Sequence, residues 1–217
     1  NVDDYESLIV GIDPKAELIF LDSNRDGVEQ IADVLKGRQD IDAIHILSHG
    51  NSGQLQLGNG ILSMESMNNE YVDELAVIKN SLSEDADILI YGCNFAEGQT
   101  GQAAADTFAR LTGADVAASD DLTGAQSEGG DWDLEFKHGE IETDLAITEN
   151  VQENWQGTLA EVVNVSGPQT GNYTVTQDGQ VTITITGADG GDDDGGNAGG
   201  SGATVTATFN VTAGDVI

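Results

Sequence analysis

Short apolar runs alternate with amphipathic helical stretches through the first 158 residues. The runs LIVGI (8–12), ELIFL (17–21), AIHILS (43–48), DILIYG (87–92) and ADVAAS (114–119) have the length and composition of buried strands. Between them the apolar positions recur at helical spacing. Val28, Ile31, Ala32 and Leu35 share one face, as do Tyr71, Leu75, Ile78 and Leu82, and again Ala104, Phe108 and Leu111. Strands alternating with helices predict an α/β domain, a mostly parallel sheet covered by helices on both faces. GQLQLGNGIL (53–62) reads as a hairpin turning at Gly58, Asn59 and Gly60. DWDLEF (131–136) and EIETDLAI (140–147) read as a terminal hairpin around His138 and Gly139.

After Leu159 the pattern changes. VVNVSG, NYTVTQDGQVTITITG and GATVTATFNVTAGD are rich in Val and Thr, with a turn at Asp178 and Gly179. They predict a small, partial all-β module over 160–217, following an α/β domain over 1–159. The stretch GADGGDDDGGNAGGSG (187–202) is too rich in Gly and Asp to pack a core and reads as a loop.

Charge narrows the choice of partners. The 217 residues carry 39 Asp and Glu against 7 Lys and Arg, a formal net charge of −32. Such a chain repels nucleic acid and anionic membrane, and attracts calcium or a basic partner. The acids are spread along the sequence, which is the pattern of a solvated acidic surface. No apolar run approaches the ~20 residues of a membrane span. The chain begins without Met or a signal-peptide pattern, so it is expected to be part of a larger multidomain protein. A single cysteine excludes an internal disulfide and a cysteine-rich zinc site.

The candidate chemistry lies at two matching places, His49 in IHILSHG (44–50) and Cys93 in ILIYGC (88–93). Each follows an apolar run, so each is expected at the carboxyl end of a strand, where an open α/β sheet forms its ligand crevice. A thiol and an imidazole meeting there make a candidate nucleophile and its base. An ordinary thiol, with a pKa of about 8.5, needs a neighbouring cation or dipole to become reactive at neutral pH. His49 and the helix expected from Gly98 would supply them. The N–H groups of Gly50 and Cys93 are the expected oxyanion donors, Gly50 would admit a substrate backbone, and Asn94 is placed at the substrate pocket. The competing expectation is an inert core cysteine, the commoner fate of a free thiol. His45 shares a face with His49 and is read as a support, and His138 as a solvated turn residue. LDSNRDGVEQIAD (21–33) offers a calcium-loop pattern in Asp22, Asn24, Asp26 and Asp33. The helical periodicity from Val28 tells against it.

Five blocks carry a resemblance: LSHGNSGQLQLGNG, ILIYGCNFAEGQTGQ, LTGADVAASDDLTG, GGDWDLE and NWQGTL. Over roughly residues 7–159 the chain resembles a bacterial domain-of-unknown-function family found near the start of giant cadherin-like and hemolysin-type surface proteins. That family is related to the caspase-like cysteine peptidases, which include caspases, gingipains, clostripain and self-cleaving toxin domains. The resemblance implies a caspase-like fold, with His49 and Cys93 catalytic and Gly50 beside them. It also implies peptide-bond hydrolysis on the parent chain or a neighbouring surface protein, in a secreted or surface-displayed bacterial protein. In caspase-like enzymes the loop after the strand following the cysteine helps read the residue before the scissile bond. Here that loop is SDDLTG (119–124), so Asp120 or Asp121 would favour a basic residue. Their alternative role is to cap a turn. No cofactor is required by this chemistry, and calcium is the candidate ion. The other function class is a non-catalytic adhesin module that keeps the fold.

Overall fold

Period-two alternation along the central strands decides which side chains go to which side of the sheet. In this computed structural model, the structure describes residue 2, residues 4–159 and the backbone of 179–186 and 204–211. The chain forms two compact units, Asn1–Val162 and Val163–Ile217. In the first unit, β1 (Ile41–Ile46), β5 (Leu82–Ile90), β6 (Asp115–Ala118) and β7 (Phe136–His138) form one sheet in the order β1-β5-β6-β7. The first three strands are parallel and β7 returns antiparallel against β6.

On one face, Ile46, Ile88, Ile90, Val116 and Ala118 pack into the larger core. They meet side chains of four helices: α2 (Gly27–Leu35), α3 (Met64–Asn69), α4 (Val72–Ser81) and α5 (Gly98–Thr112). On the other face, Leu89, Tyr91, Cys93 and Ala117 are buried beneath Leu8, Trp132, Leu134, Ile147, Trp155 and Leu159. Regular cover on this second face is slight, two short helices, α1 (Tyr5–Ile9) and α6 (Glu149–Asn154), with irregular chain between. A smaller antiparallel sheet of β2 (Gly50–Asn51), β3 (Gln54–Leu57) and β4 (Gly60–Ser63) follows β1. Its β3–β4 hairpin forms where the sequence predicts, turning at Gly58 and Asn59, while Gly60, expected in the turn, opens β4 opposite Leu57.

Four strand expectations are corrected. LIVGI does not enter the sheet: Leu8 is buried in one helical turn, Val10 is 80% exposed, and Ile12 makes one isolated bridge to Ile147. Leu8 and Gly11 are its only buried positions, too few to anchor a strand between two layers. ELIFL forms no strand, with Leu18, Ile19 and Phe20 exposed, so its apolar run lacks the burial that a central strand requires. In DWDLEF only Phe136 joins a strand, and EIETDLAI forms none. Instead of pairing with each other, they spend their backbone groups elsewhere: β7 pairs with β6, and the Glu142 and Thr143 amides donate to the buried carboxylate of Asp87.

In the second unit, β8 (Gly179–Thr186) pairs antiparallel with β9 (Thr204–Val211). Gly179 opens that strand opposite Val211, so it is ladder and not turn. The expected VVNVSG run, Asp178 and the Gly/Asp-rich stretch 187–202 lie outside the described residues.

Asp26 ties three elements together. Its Oδ1 accepts the Val28 and Glu29 amides at 2.8 and 3.0 Å, capping α2, while its Oδ2 accepts the Tyr71 hydroxyl at 2.6 Å. Burial, then that bond, pushes the Tyr71 phenol well above its ordinary pKa. Asp26→Ala is expected to destabilise the domain by about 1–3 kcal/mol, because a cap and a charge-assisted bond are lost together. Urea unfolding should show the midpoint falling at unchanged slope, with Tyr71→Phe giving about 1 kcal/mol.

Candidate functional site

The carboxyl ends of β1 and β5 meet backbone to backbone. The Tyr91 amide donates to Ile46 O at 2.9 Å, extending the parallel ladder. Beyond it, a Cβ on Gly50 would stand 2.7 Å from Cys93 O and 2.8 Å from the Gly92 carbonyl carbon. Only glycine allows that approach. The neighbour that needs the missing Cβ is therefore the cysteine strand itself, not a substrate as the sequence suggests. This contact brings the loop of His49 against the loop of Cys93.

Cys93 is 1% exposed. Its Sγ accepts the Thr123 amide at 3.1 Å and faces Thr123 O at 3.5 Å. Burial pushes the thiol up to about 11, and the amides of Thr123, Leu159 and Cys93 itself pull the other way. Burial wins, because a few weak dipoles replace less solvation than water gives a thiolate.

His49 is half-buried, and its Nδ1–H donates to Leu159 O at 3.2 Å. A carbonyl can only accept, so this bond places a proton on Nδ1. The Gln56 amide donates to His49 O at 3.0 Å. By the alternation of an antiparallel ladder, the next pair, Gly50 with Leu55, is not hydrogen-bonded, and the Gly50 N–H points away from β3.

Leu159 joins the two residues. It is fully buried, its carbonyl is bonded to His49, and its amide donates to Thr123 O at 2.9 Å. The Ala125 amide donates to Gly157 O at 2.8 Å, and Thr158 bridges antiparallel to Gly124. Residues 157–159 thus lie as a short added strand along 123–125. Behind them Trp155 tilts against Trp132 with ring centroids 5.6 Å apart, and Trp132 against Tyr91 at 6.5 Å. The Ala146 amide donates to the Tyr91 oxygen at 2.8 Å, and the same hydroxyl shares a hydrogen bond with His45 Nδ1 at 3.0 Å. Burial holds His45 below its ordinary pKa and lifts Tyr91 to about 12. His45 is a neutral support beneath the site. His138 is exposed at the end of β7, paired with Asp106 at 2.8 Å.

The other candidates sit at the margin. Asn94 adopts a left-handed backbone (φ 59°), gives its amide to Asp121 O at 2.7 Å and its side chain to Glu97 at 3.0 Å. The Asp120 amide donates to Glu135, and the Asp121 amide to Ser119 Oγ. The Asp121 side chain is exposed in an acidic group with Asp120 and Glu135. Partial desolvation first, then Asp131, Glu135, Asp120 and Asp133, lift its pKa to about 6. In the calcium-loop pattern, Asp26 is committed to capping α2, Asp22 bonds Asn24 within its own turn, and exposed Asp33 pairs with Arg25 at 3.6 Å. The acidic groups that converge among the described residues are others: Asp87 with Asp115 and Glu142, and the two that share Glu135.

Thr123, Trp132, Trp155 and Leu159 complete the site and were not singled out from the sequence. The available signal was composition: the chain has only two tryptophans, and they fall in GGDWDLE and NWQGTL. A family model described as a domain of unknown function, DUF4347, matches residues 1–159. No curated protein and no solved structure matches the chain.

The thiol generates a prediction. The folded thiol keeps its proton up to about pH 11, whereas an unfolded thiol loses it near its ordinary value. Its contribution to stability is therefore present below about pH 8.5 and lost as pH rises through the folded value. Iodoacetamide alkylation of the folded chain should follow that raised ionisation, running on the order of 100-fold slower at pH 8 than in the unfolded chain. Leu159→Ala should uncover the sulfur, lower its apparent pKa and speed alkylation at pH 8 by about 10-fold.

Proposed function

The chain belongs to the DUF4347 family over residues 1–159, and from that starting point we propose that its α/β domain is a cysteine peptidase using a Cys93–His49 dyad. The observation that carries this reading is one residue of main chain tied to both candidates. The Leu159 carbonyl oxygen meets the imidazole of His49, while the Leu159 amide donates to the carbonyl of Thr123, the residue whose own amide reaches the Cys93 sulfur. An extended chain held beside both a thiol and an imidazole is the setting acyl transfer needs. Cys93 attacks a peptide carbonyl as its proton passes to His49. The Gly50 N–H, turned out of its hairpin, helps hold the oxyanion, and His49 returns the proton to the leaving amine. Loop 123–125 supplies main-chain partners for the substrate on the side before the scissile bond. The resemblance to caspase-like peptidases, and to domains of large secreted or surface-displayed bacterial proteins, supports the same reading. It makes a protein chain the substrate class. Calcium is the proposed ion for so acidic a surface, as a modulator and not as a participant.

A second reading has one observation in its favour: the thiol is almost wholly buried, and burial holds it protonated. A non-catalytic adhesin module that keeps this fold needs nothing more from Cys93 than a filled core.

The two readings separate with an electrophilic peptidyl acyloxymethyl ketone. As a peptidase, the folded chain takes the label at Cys93. His49→Ala slows labelling on the order of 100-fold or more, while alkylation of the two unfolded chains stays equal. Labelling confined to unfolded protein, at one rate in both chains, sinks the peptidase and leaves the structural module.

A further inference from the structure

Residues 157–159 pair along 123–125 within reach of His49. Three features coincide at Leu159. Its main chain and that of Gly157 pair with Thr123 and Ala125 as an added β-strand, the usual way an extended peptide is held. Its carbonyl oxygen lies 3.2 Å from Nδ1 of His49. Its side chain is wholly buried among the apolar residues of the second face, which also bury Cys93. A domain end that needed only anchoring could have relied on Trp155, already packed on Trp132. The chain continues past that anchor and delivers one carbonyl to the imidazole.

We infer that the bond between Leu159 and Ala160 is this domain's own substrate, so that the chain cleaves itself there and releases everything from Ala160 onward. The inference rests on the peptidase reading above and deepens it by naming the bond and the residue read. That residue is apolar. The buried position is filled by Leu159, whereas the acids of the 119–124 loop that suggested a basic preference lie at the surface or its margin. The acyl step joins Cys93 Sγ to the Leu159 carbonyl carbon, the thiol proton passing to His49. The carbon–nitrogen bond to Ala160 then breaks as His49 hands that proton to the Ala160 nitrogen, leaving a Cys93–Leu159 thioester. One water hydrolyses it, with its oxygen and one hydrogen ending in the Leu159 carboxyl group and its other proton passing through His49 to the departing sulfur. No oxidant or reductant is consumed.

The test follows the whole 217-residue chain through time by intact mass and amino-terminal sequencing, with and without calcium. The expected products are 1–159 and 160–217, with a new terminus at Ala160, at a rate unchanged by tenfold dilution. Hydroxylamine should divert the product to a Leu159 hydroxamate. Cys93→Ala and, separately, Ala160→Pro should abolish cleavage, the second by changing the leaving amine without touching the buried side chain. The same wild-type preparation is treated with the acyloxymethyl ketone. An intact chain that takes the label in a His49-dependent manner overturns self-cleavage and leaves the peptidase reading standing. An intact chain that takes no such label removes both. Cleavage at another bond, or at a rate that rises with concentration, also overturns the inference.

Discussion

The site depends on one steric constraint: two strand ends approach so closely that no Cβ fits between them. Gly50 lies against the carbonyl of Cys93 and the backbone of Gly92. Everything around the thiol follows from that contact. The hairpin that begins at Gly50 docks by its other end on the loop after Cys93, through Gly53 N–H to Phe95 O at 2.9 Å and Ser52 Oγ to Glu97 O at 2.8 Å. That loop is in turn bonded to the chain after β6, through Asn94 to Asp121 O and Ala96 to Ser119 O. Thr123, which faces the sulfur, is therefore positioned by a series of main-chain bonds that starts at a glycine. A bulkier residue at position 50 would move His49, Cys93 and Thr123 apart together.

The alternation of side chains explains why the two faces differ in kind. Even-numbered positions of β5 point to a core built from four helices, whose geometry keeps water out without special residues. Leu89 of that strand, with Tyr91 and Cys93 just beyond its end, points to a face sealed by irregular chain and two tryptophans. Sealing by irregular chain leaves polar atoms to satisfy. Trp132 Nε1, Trp155 Nε1 and Thr123 Oγ1 are buried without a hydrogen-bond partner among the described residues. Orphaned donors of this kind cost free energy, and here they gather on the face that carries the thiol.

Much of this was legible in the sequence and some was not, for physical reasons. Strands of a covered sheet announce themselves as apolar runs, so β1, β5 and β6 were found along with α2, α4 and α5. The fold class of the first unit was legible too, as a mostly parallel sheet flanked by helices. Leu8 and the run 17–21 misled because apolar composition does not say whether a segment has a ladder to join. His49 and Cys93 were visible because each is a reactive residue at a strand end. Leu159 was not, because nothing about a leucine in NWQGTL distinguishes a core residue from one whose carbonyl faces an imidazole. That distinction lives in contacts spanning 110 residues, which no local pattern encodes.

The closing strand has a mechanical meaning as well. Residues 157–159 are held by two short main-chain bonds, Leu159 to Thr123 and Ala125 to Gly157. Tension that reached Leu159 along the chain would load these bonds before the central sheet. Strands that peel from one end yield one bond at a time. A pull on the rest of the chain would therefore lift Leu159 first and bare the sulfur beneath it, while the sheet and its helices remained unstrained.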